Sequence, residues 1–406
     1  MKECNKSGYS VVLGAYRNLD LTVQFIQDLL NRFPTVDVCV GMLGNTEEYQ
    51  NTLTEMFRGE NTVHLIGGKT GERVTFSENW NAAISLVETE KFVFLHNDMY
   101  LHQDFFSGLD EYVDRFGPES FYLYTTVEPL ENAGFVRPGK VVAPFGHNLE
   151  DFKLQSFCDF ATSYANKHRG EEVRGYGFYL AGFTESLRKV GGFDSIHFNP
   201  YFCEDDDINV RIRLNGYTVV VVPTAIVYHF GSKTIRLETQ STMSDVEIES
   251  NRKFARKWGF EARYLWDTGY EYSDEVSIGH EFIMFQSPGG MKPLDIINIE
   301  PLVDGLIISS EEYEQVKEYF EKTGTNNKVY IEDAIEPDIL VTLEGSIEFT
   351  VFAKTVGDLR FYHKKLKQGG TFHMQGLRIQ VLKAKPYGTR IDPVNYLSLL
   401  EKHSNG

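Results

Sequence analysis

The feature that most constrains this chain is the alternation, from residue 9 to residue 95, of short apolar runs with segments of helical periodicity. Tyr9 to Leu13, Asp37 to Leu43, Val63 to Ile66 and Phe92 to Leu95 read as strands. Leu19 to Phe33 sets Leu21, Phe25, Leu29 and Leu30 on one helical face before Pro34. Asn51 to Phe57 and Ser77 to Val87 read as two further helices. Strands and helices in this order form β-α-β units, in which crossover helices build a mainly parallel, Rossmann-like sheet. The last of these strands stops abruptly at His96-Asn97-Asp98.

Residues 104–180 are less regular, with a helix predicted over Phe105 to Phe116, a strand over Phe121 to Val127, and then loops rich in Gly, Pro and aromatics. Regularity returns with a helix from Thr184 to Val190, the turn Gly191-Gly192-Phe193-Asp194, and the acidic run Glu204-Asp205-Asp206-Asp207, which opens a helix to Leu214. The strand Thr218 to Val222, Pro223 and a second run ending in Ile226-Val227-Tyr228-His229 follow, and a helix from Val246 to Trp258 closes the unit. At 406 residues the chain exceeds what one hydrophobic core usually fills, so a second domain is expected. The polar, aromatic stretch Thr268 to Asp274 places the boundary at 268/269. Beyond it, strands at 281–286, 294–299, 305–308, 328–331, 338–343, 346–352 and 377–383, with helices near 311–322 and 357–367, predict a smaller α/β domain.

Composition narrows the class of partner. Forty Lys and Arg against 58 Asp and Glu give a net charge of −18, a field that repels nucleic-acid backbone and anionic lipid. No apolar leader opens the chain and no run is long enough to span a bilayer, which predicts a soluble, cytoplasmic protein. Cys4, Cys39, Cys158 and Cys203 are far apart with no C-x-x-C spacing, so reduced thiols are expected rather than a zinc site or a disulfide framework.

Open α/β sheets bind ligands at the carboxyl ends of their strands, which directs attention to Ala15-Tyr16-Arg17, His96-Asn97-Asp98 and His229. A carboxylate directly after a strand projects from fixed backbone into a crevice, where a hard divalent cation can be shared with ligand phosphates. Asp98 fits that description, although an Asp so placed also serves simply to cap a turn. Glu204 to Asp207 crowd four carboxylates at a helix start. The helix dipole accommodates one or two of them; four together favour a proton-sharing or cation-facing role.

The order of these motifs resembles the family 2 glycosyltransferases with the GT-A fold, over residues 8–260. The resemblance is carried by SVVLGAYRNLDLTVQFIQDLL, by TFSENWNAAISLVETEKFVFLHNDMYLHQDFF and most specifically by AGFTESLRKVGGFDSIHFNPYFCEDDDINVRIRLNGYTVVVVPTAIVYHFGSKT. It implies that His96-Asn97-Asp98 stands where the family has D-x-D, with Asp98 binding Mn²⁺ or Mg²⁺ and His96 replacing the first acid. It further implies that Asp205 is the general base, that Glu204 contacts the acceptor, and that His229 supports the metal–diphosphate site. Ala15, Tyr16 and Arg17 would lie along the nucleotide base, with Asn45 standing in for the family's base-recognising Asp. Asn81 and Asn97 are the further matched donor-site positions.

The function so implied is inverting, metal-dependent transfer of a sugar from a nucleotide-sugar to an unidentified hydroxyl acceptor. A nucleotidyltransferase and a non-catalytic nucleotide-sugar-binding module are the rival readings. Against the first stands the lack of a glycine-rich loop with a Lys after strand one; against the second, the intact Asp98, Glu204, Asp205 and His229. Residues 269–406 are expected to have a structural, acceptor-positioning or oligomerising role, and LRFYHKKLKQGGTFHMQGLRIQVLKA faintly resembles the last helix-turn-strand of class I methyltransferases.

Overall fold

The computed structural model describes residues 8–132, 137–231, 240–262, 264, 279, 281–331, 335–362, 368–383 and 394–401. The chain divides into two compact units, one running to Glu247 and including the segment from Pro393 onward, the other Ile248–Asp392. The boundary expected at 268/269 lies outside the described residues. Among the described residues no helix is long and apolar enough to cross a membrane.

In the first unit β1 (Tyr9–Gly14), β2 (Asp37–Gly41), β3 (Val63–Ile66), β4 (Lys91–Phe94), β5 (Met99–Leu101), β6 (Ser120–Glu128), β7 (Lys140–Val142), β8 (Leu180–Phe183) and β9 (Thr218–His229) form one sheet. Its order is β3-β2-β1-β4-β8-β6-β9-β5, with β7 beside β6. β1 runs parallel to β2 and β4, β2 to β3, and β6 to both β7 and β9, so the expected mainly parallel sheet is present. β8 and β5 run antiparallel to their neighbours.

The helices are α1 (Leu19–Arg32), α2 (Glu47–Met56), α3 (Phe76–Ser85), α4 (Phe105–Phe116), α5 (Leu154–His168), α6 (Thr184–Val190) and α7 (Glu204–Leu214), with α8 (Gln240–Trp258) leading into the second unit. α3 starts at a full capping box, Thr75 accepting from the Glu78 amide while Glu78 accepts from the Thr75 amide, so its start is written locally. Among the described residues one apolar cluster of this unit contains Val11, Ile26, Val38 and Leu109, another Trp80, Phe92, Phe178 and Ile208, and a third, beside α5, Val127, Phe157 and Tyr228.

The runs 218–222 and 226–229, expected as separate strands, are one strand. Its pairing with β6 shifts between Tyr124 and Thr125, whose partners are Val222 and Ile226. Pro223 therefore sits in a bulge, where it removes no ladder hydrogen bond. Helix α4 closes on the bulge at Gly108, where a Cβ would stand 2.2 Å from the Thr224 carbonyl oxygen. Helix α5 was not legible because it buries little more than Phe157 and Ala161, too narrow a stripe to show periodicity.

The second unit contains β10 (Ile283–Gln286), β11 (Gly305–Ile307), β12 (Val329–Tyr330), β13 (Ile339–Leu343), β14 (Thr371–Met374) and β15 (Leu377–Val381), ordered β12-β11-β10-β13-β15-β14. Its helices are α9 (Pro293–Ile299), α10 (Ser310–Thr323) and α11 (Phe349–Tyr362). Residues 294–299, read as a strand, are thus helical: Pro293 occupies the first turn, and the buried Ile296 and Ile299 are three apart. Residues 346–352, also read as a strand, lead into α11, whose apolar residues Phe352, Val356 and Leu359 fill the core on helical spacing. β14 was missed; it pairs with β15 through Gln375 and Gly376, both at positive φ, as a tight hairpin requires.

Candidate active site

The loop after β1 is held from beneath by two asparagines. Asn45 and Asn79 both donate through Nδ2 to the Ala15 carbonyl oxygen, at 2.9 and 3.0 Å. Asn45 also donates to the Met42 carbonyl and accepts from the Arg17 amide at 2.8 Å, while Asn79 accepts from the Leu43 amide. The loop needs this bracing because Arg17 and Asn18 sit at φ 55° and 45°, a region costly for residues other than glycine. Asn45, expected to read the base, thus has both amide donors and its acceptor engaged within the protein. Ala15 is buried; Tyr16 and Arg17 are exposed, with the guanidinium 5.0 Å from the Tyr16 ring centroid.

Asn81 is likewise turned inward. It is fully buried and exchanges hydrogen bonds of 2.8 Å with the Phe193 backbone amide and carbonyl, fixing the Gly191-Gly192-Phe193 turn. Asn97 donates to the Thr22 hydroxyl at 2.9 Å, tying the end of β4 to α1.

The residues around Asp98 do converge. The antiparallel register of β5 on β9 pairs Met99 with His229, so Asp98 lies beside the last residue of β9. His229 Nε2 stands 3.3 Å from Asp98 Oδ1, and one donor atom from each of His96, Asp98 and His229 lies within 4.8 Å of the others. Nε2 of His96 and Nε2 of His229 are both buried without a hydrogen-bond partner. Buried polar atoms are normally satisfied, and two imidazole nitrogens beside a carboxylate form a donor set that fits a divalent cation. His96, which the sequence comparison treated only as a departure from D-x-D, is thus brought into the set.

Electrostatics around the cluster follow from its burial. Burial pushes the His96 imidazole down to about 4 despite the Asp98 charge, leaving it neutral and ready to donate a lone pair. For His229 burial acts in the same direction but is outweighed by the neighbouring Asp98 and Glu128 carboxylates, which raise it to about 9. These carboxylates call for a positive charge at this point, whether a proton or a metal ion.

Glu128, at the end of β6, stands 3.6 Å from His229 Nδ1. Burial alone would raise its pKa, but His229, Arg137 and Lys140 together lower it to about 2. Arg137 and Lys140 approach Glu128 at 3.4 Å, and the Arg137 guanidinium lies 4.4 Å from the Tyr179 ring centroid. Tyr179 in turn places its hydroxyl 3.2 Å from His229 Nδ1. None of Glu128, Arg137 or Tyr179 carries a motif, and sequence reading missed them.

The acidic run occupies the first turn of α7. It is introduced by Phe202 and Cys203 at φ 74° and 66°, two consecutive left-handed residues that are not glycine. The four acids then separate in role. Asp207 is fully buried and accepts from Arg211 Nε at 2.8 Å, and Asp206 accepts from the Tyr176 hydroxyl at 3.0 Å. Glu204 Oε2 is buried without a partner, and burial followed by the Asp205 charge pushes its pKa well up. Asp205 is also raised by burial, opposed by the backbone amides of Asp206 and of its own residue and by the Arg137 charge. The Tyr179 phenol is raised by burial and by Glu128, opposed by the Arg137 charge, with smaller contributions from Asp98 and Asp205.

No family model and no curated protein matches the chain. Among solved structures it is similar to GalNAc-T7 with UDP, GalNAc and Mn²⁺, at TM-score 0.41 and 12% identity over 65% of this chain and 50% of that one, so it spans half that protein's length. It is similar also to S. aureus TarS 1-349 in complex with UDP-GlcNAc, at TM-score 0.40 and 13% identity over 95% and 99% of the two chains. At TM-scores near 0.4 these likenesses carry no weight; the α/β architecture rests on the strand order and register.

Proposed function

We propose that the chain is a metal-dependent glycosyltransferase moving a sugar, with inversion, from a nucleotide-sugar donor to a hydroxyl acceptor. The observation that carries this reading is the buried His96–Asp98–His229 set, in which Nε2 of each imidazole makes no hydrogen bond and the Tyr179 hydroxyl lies 3.2 Å from His229 Nδ1. Two nitrogen donors and one carboxylate suit Mn²⁺ better than Mg²⁺, which prefers an all-oxygen octahedron. A cation held there would neutralise charge developing on the departing diphosphate.

The chain's own residues supply the rest. Tyr16, exposed at the end of β1, offers a ring for the nucleotide base, and Arg17 beside it a positive charge. Asp205 takes the proton of the acceptor hydroxyl as that oxygen bonds to the anomeric carbon and the bond to diphosphate breaks. Its pKa, raised by burial, makes its carboxylate a stronger base than that of an exposed Asp. Glu204, beside it, contacts the acceptor. Asn45, Asn79 and Asn81 shape the donor pocket from behind, through backbone.

The test is hydrolysis of a panel of nucleoside diphosphate sugars, UDP-GlcNAc among them, with Mn²⁺, with Mg²⁺ and with chelator. Release of nucleoside diphosphate that needs Mn²⁺ supports the proposal. Nucleotide release unaffected by chelation removes the metal from it, and pyrophosphate formation from a nucleoside triphosphate marks nucleotidyl transfer instead.

A further inference from the structure

The segment after the second unit returns to the first. A short helix, α12 (Tyr396–Glu401), packs against α3 and on the Gly191-Gly192 turn. Asn395 donates to the Arg188 carbonyl at 3.3 Å, and the Leu397 amide donates to the Gly191 carbonyl at 3.1 Å. Both glycines are at positive φ, and a Cβ on Gly192 would lie 2.6 Å from Leu397 Cδ2 and from Asn81 Oδ1. The turn is therefore glycine for two reasons, its backbone conformation and the closeness of these neighbours.

The contacts lead to the acidic helix. Leu397 packs against the apolar cluster that contains Ile208 and Ile212 of α7. Tyr396 is fully buried, with the Arg211 guanidinium 5.1 Å from its ring centroid. Arg211 also donates to the Val190 carbonyl at 2.7 Å and pairs with Asp207, which is in the first turn of α7 with Glu204 and Asp205. That turn follows two strained residues, Phe202 and Cys203. Strain of this kind persists only where surrounding contacts over-determine the backbone, and Tyr396 shields the ion pair that provides one such contact.

We infer that residues 394–399 form a positioning clasp for the acidic helix: through Arg211 and Asp207 they fix the first turn that presents Glu204 and Asp205. Tyr396 and Leu397 act only through other residues. Only the turnover readout below depends on the glycosyltransferase proposal.

The experiment is amide hydrogen exchange on the full chain, comparing the parent with Tyr396→Ala, Leu397→Ala and Tyr396→Phe. The expected result for the two alanine variants is exchange about tenfold faster across 204–214, with α1 and β1 unchanged, because one buried ring or its packing partner is lost locally. Tyr396→Phe keeps the ring over Arg211 and should stay closer to the parent rates than Tyr396→Ala does. In parallel, Mn²⁺-dependent donor hydrolysis by Tyr396→Ala should fall in kcat with the donor KM unchanged, and Tyr396→Phe should restore it. Parent-like exchange across 204–214 in both alanine variants overturns the clasp, as does acceleration spread evenly over the first unit. If the parent hydrolyses no donor, the functional proposal fails while the exchange data still decide the clasp.

Discussion

Nε2 of His229 lies 3.3 Å from Oδ1 of Asp98, although about half of the first unit's sequence separates the two. The β5–β9 register enforces this approach, and both atoms are buried, so the pair persists only with a positive charge on or between them.

Metal affinity should therefore depend on three residues. Asp98→Ala is expected to abolish Mn²⁺ binding. His96→Ala and His229→Ala should each weaken it, and Glu128→Gln, one step removed on His229, should cost about 10- to 100-fold, the usual effect of loosening a ligand's support. Titration with Mn²⁺ alone checks this without any substrate. Parent-like affinity in His96→Ala would return His96 to a purely packing role.

Asp205→Asn should lower turnover by about 10²–10⁴ with donor affinity nearly unchanged, as for a positioned base. Because burial raises Asp205 above the ordinary range, the parent's rate should fall as pH drops through that raised value. In Asp205→Asn this acid limb should vanish. An equal loss in Asp206→Asn, whose carboxylate accepts from Tyr176, would mean that the acids act only as a collective patch.

Asp207→Asn should behave differently. Its fully buried carboxylate pairs with Arg211, so removing the charge leaves a guanidinium uncompensated and costs about 3–5 kcal/mol of stability. Chemical denaturation followed by tryptophan fluorescence measures it, and a loss below about 1 kcal/mol, typical of an exposed pair, would contradict it.

The asparagines separate bracing from binding. Asn81→Ala should depress the melting temperature, since it leaves the Phe193 amide and carbonyl without partners, at about 1–3 kcal/mol. Tyr16→Ala should leave stability unchanged and raise the donor KM. The reverse pattern, with Asn81→Ala affecting only donor KM, would put Asn81 in contact with ligand.

In the second unit, Glu300 is fully buried between Arg256 at 2.9 Å and Lys328 at 3.1 Å. Burial alone would raise its pKa; the Lys328 charge and the Arg256 hydrogen bond and charge lower it below the ordinary glutamate value. A lowered folded-state pKa gives stability that is fully present above the unfolded value and lost as pH falls through the folded one. Melting of the second unit should therefore decline on acidification below the ordinary glutamate range. In Glu300→Gln that part of the slope should disappear, and the unit should be less stable at neutral pH.

The sequence alone determined the first four strands, the helices between them, and Asp98, Glu204, Asp205 and His229 as the residues to examine. Apolar periodicity and strand-end position are local properties, and local properties are written in order along the chain. Only the tertiary structure decided that Asn45 and Asn81 hydrogen-bond to the Ala15 and Phe193 backbone, since these partners lie far away in sequence. It also decided that His96 joins Asp98 and His229, that Glu128, Arg137 and Tyr179 stand behind them, and that Tyr396 backs Arg211. Residues 294–299 and 346–352 were misread for a related reason: a short apolar run suits a buried strand and a buried helix equally, and only packing against the rest of the unit chooses between them.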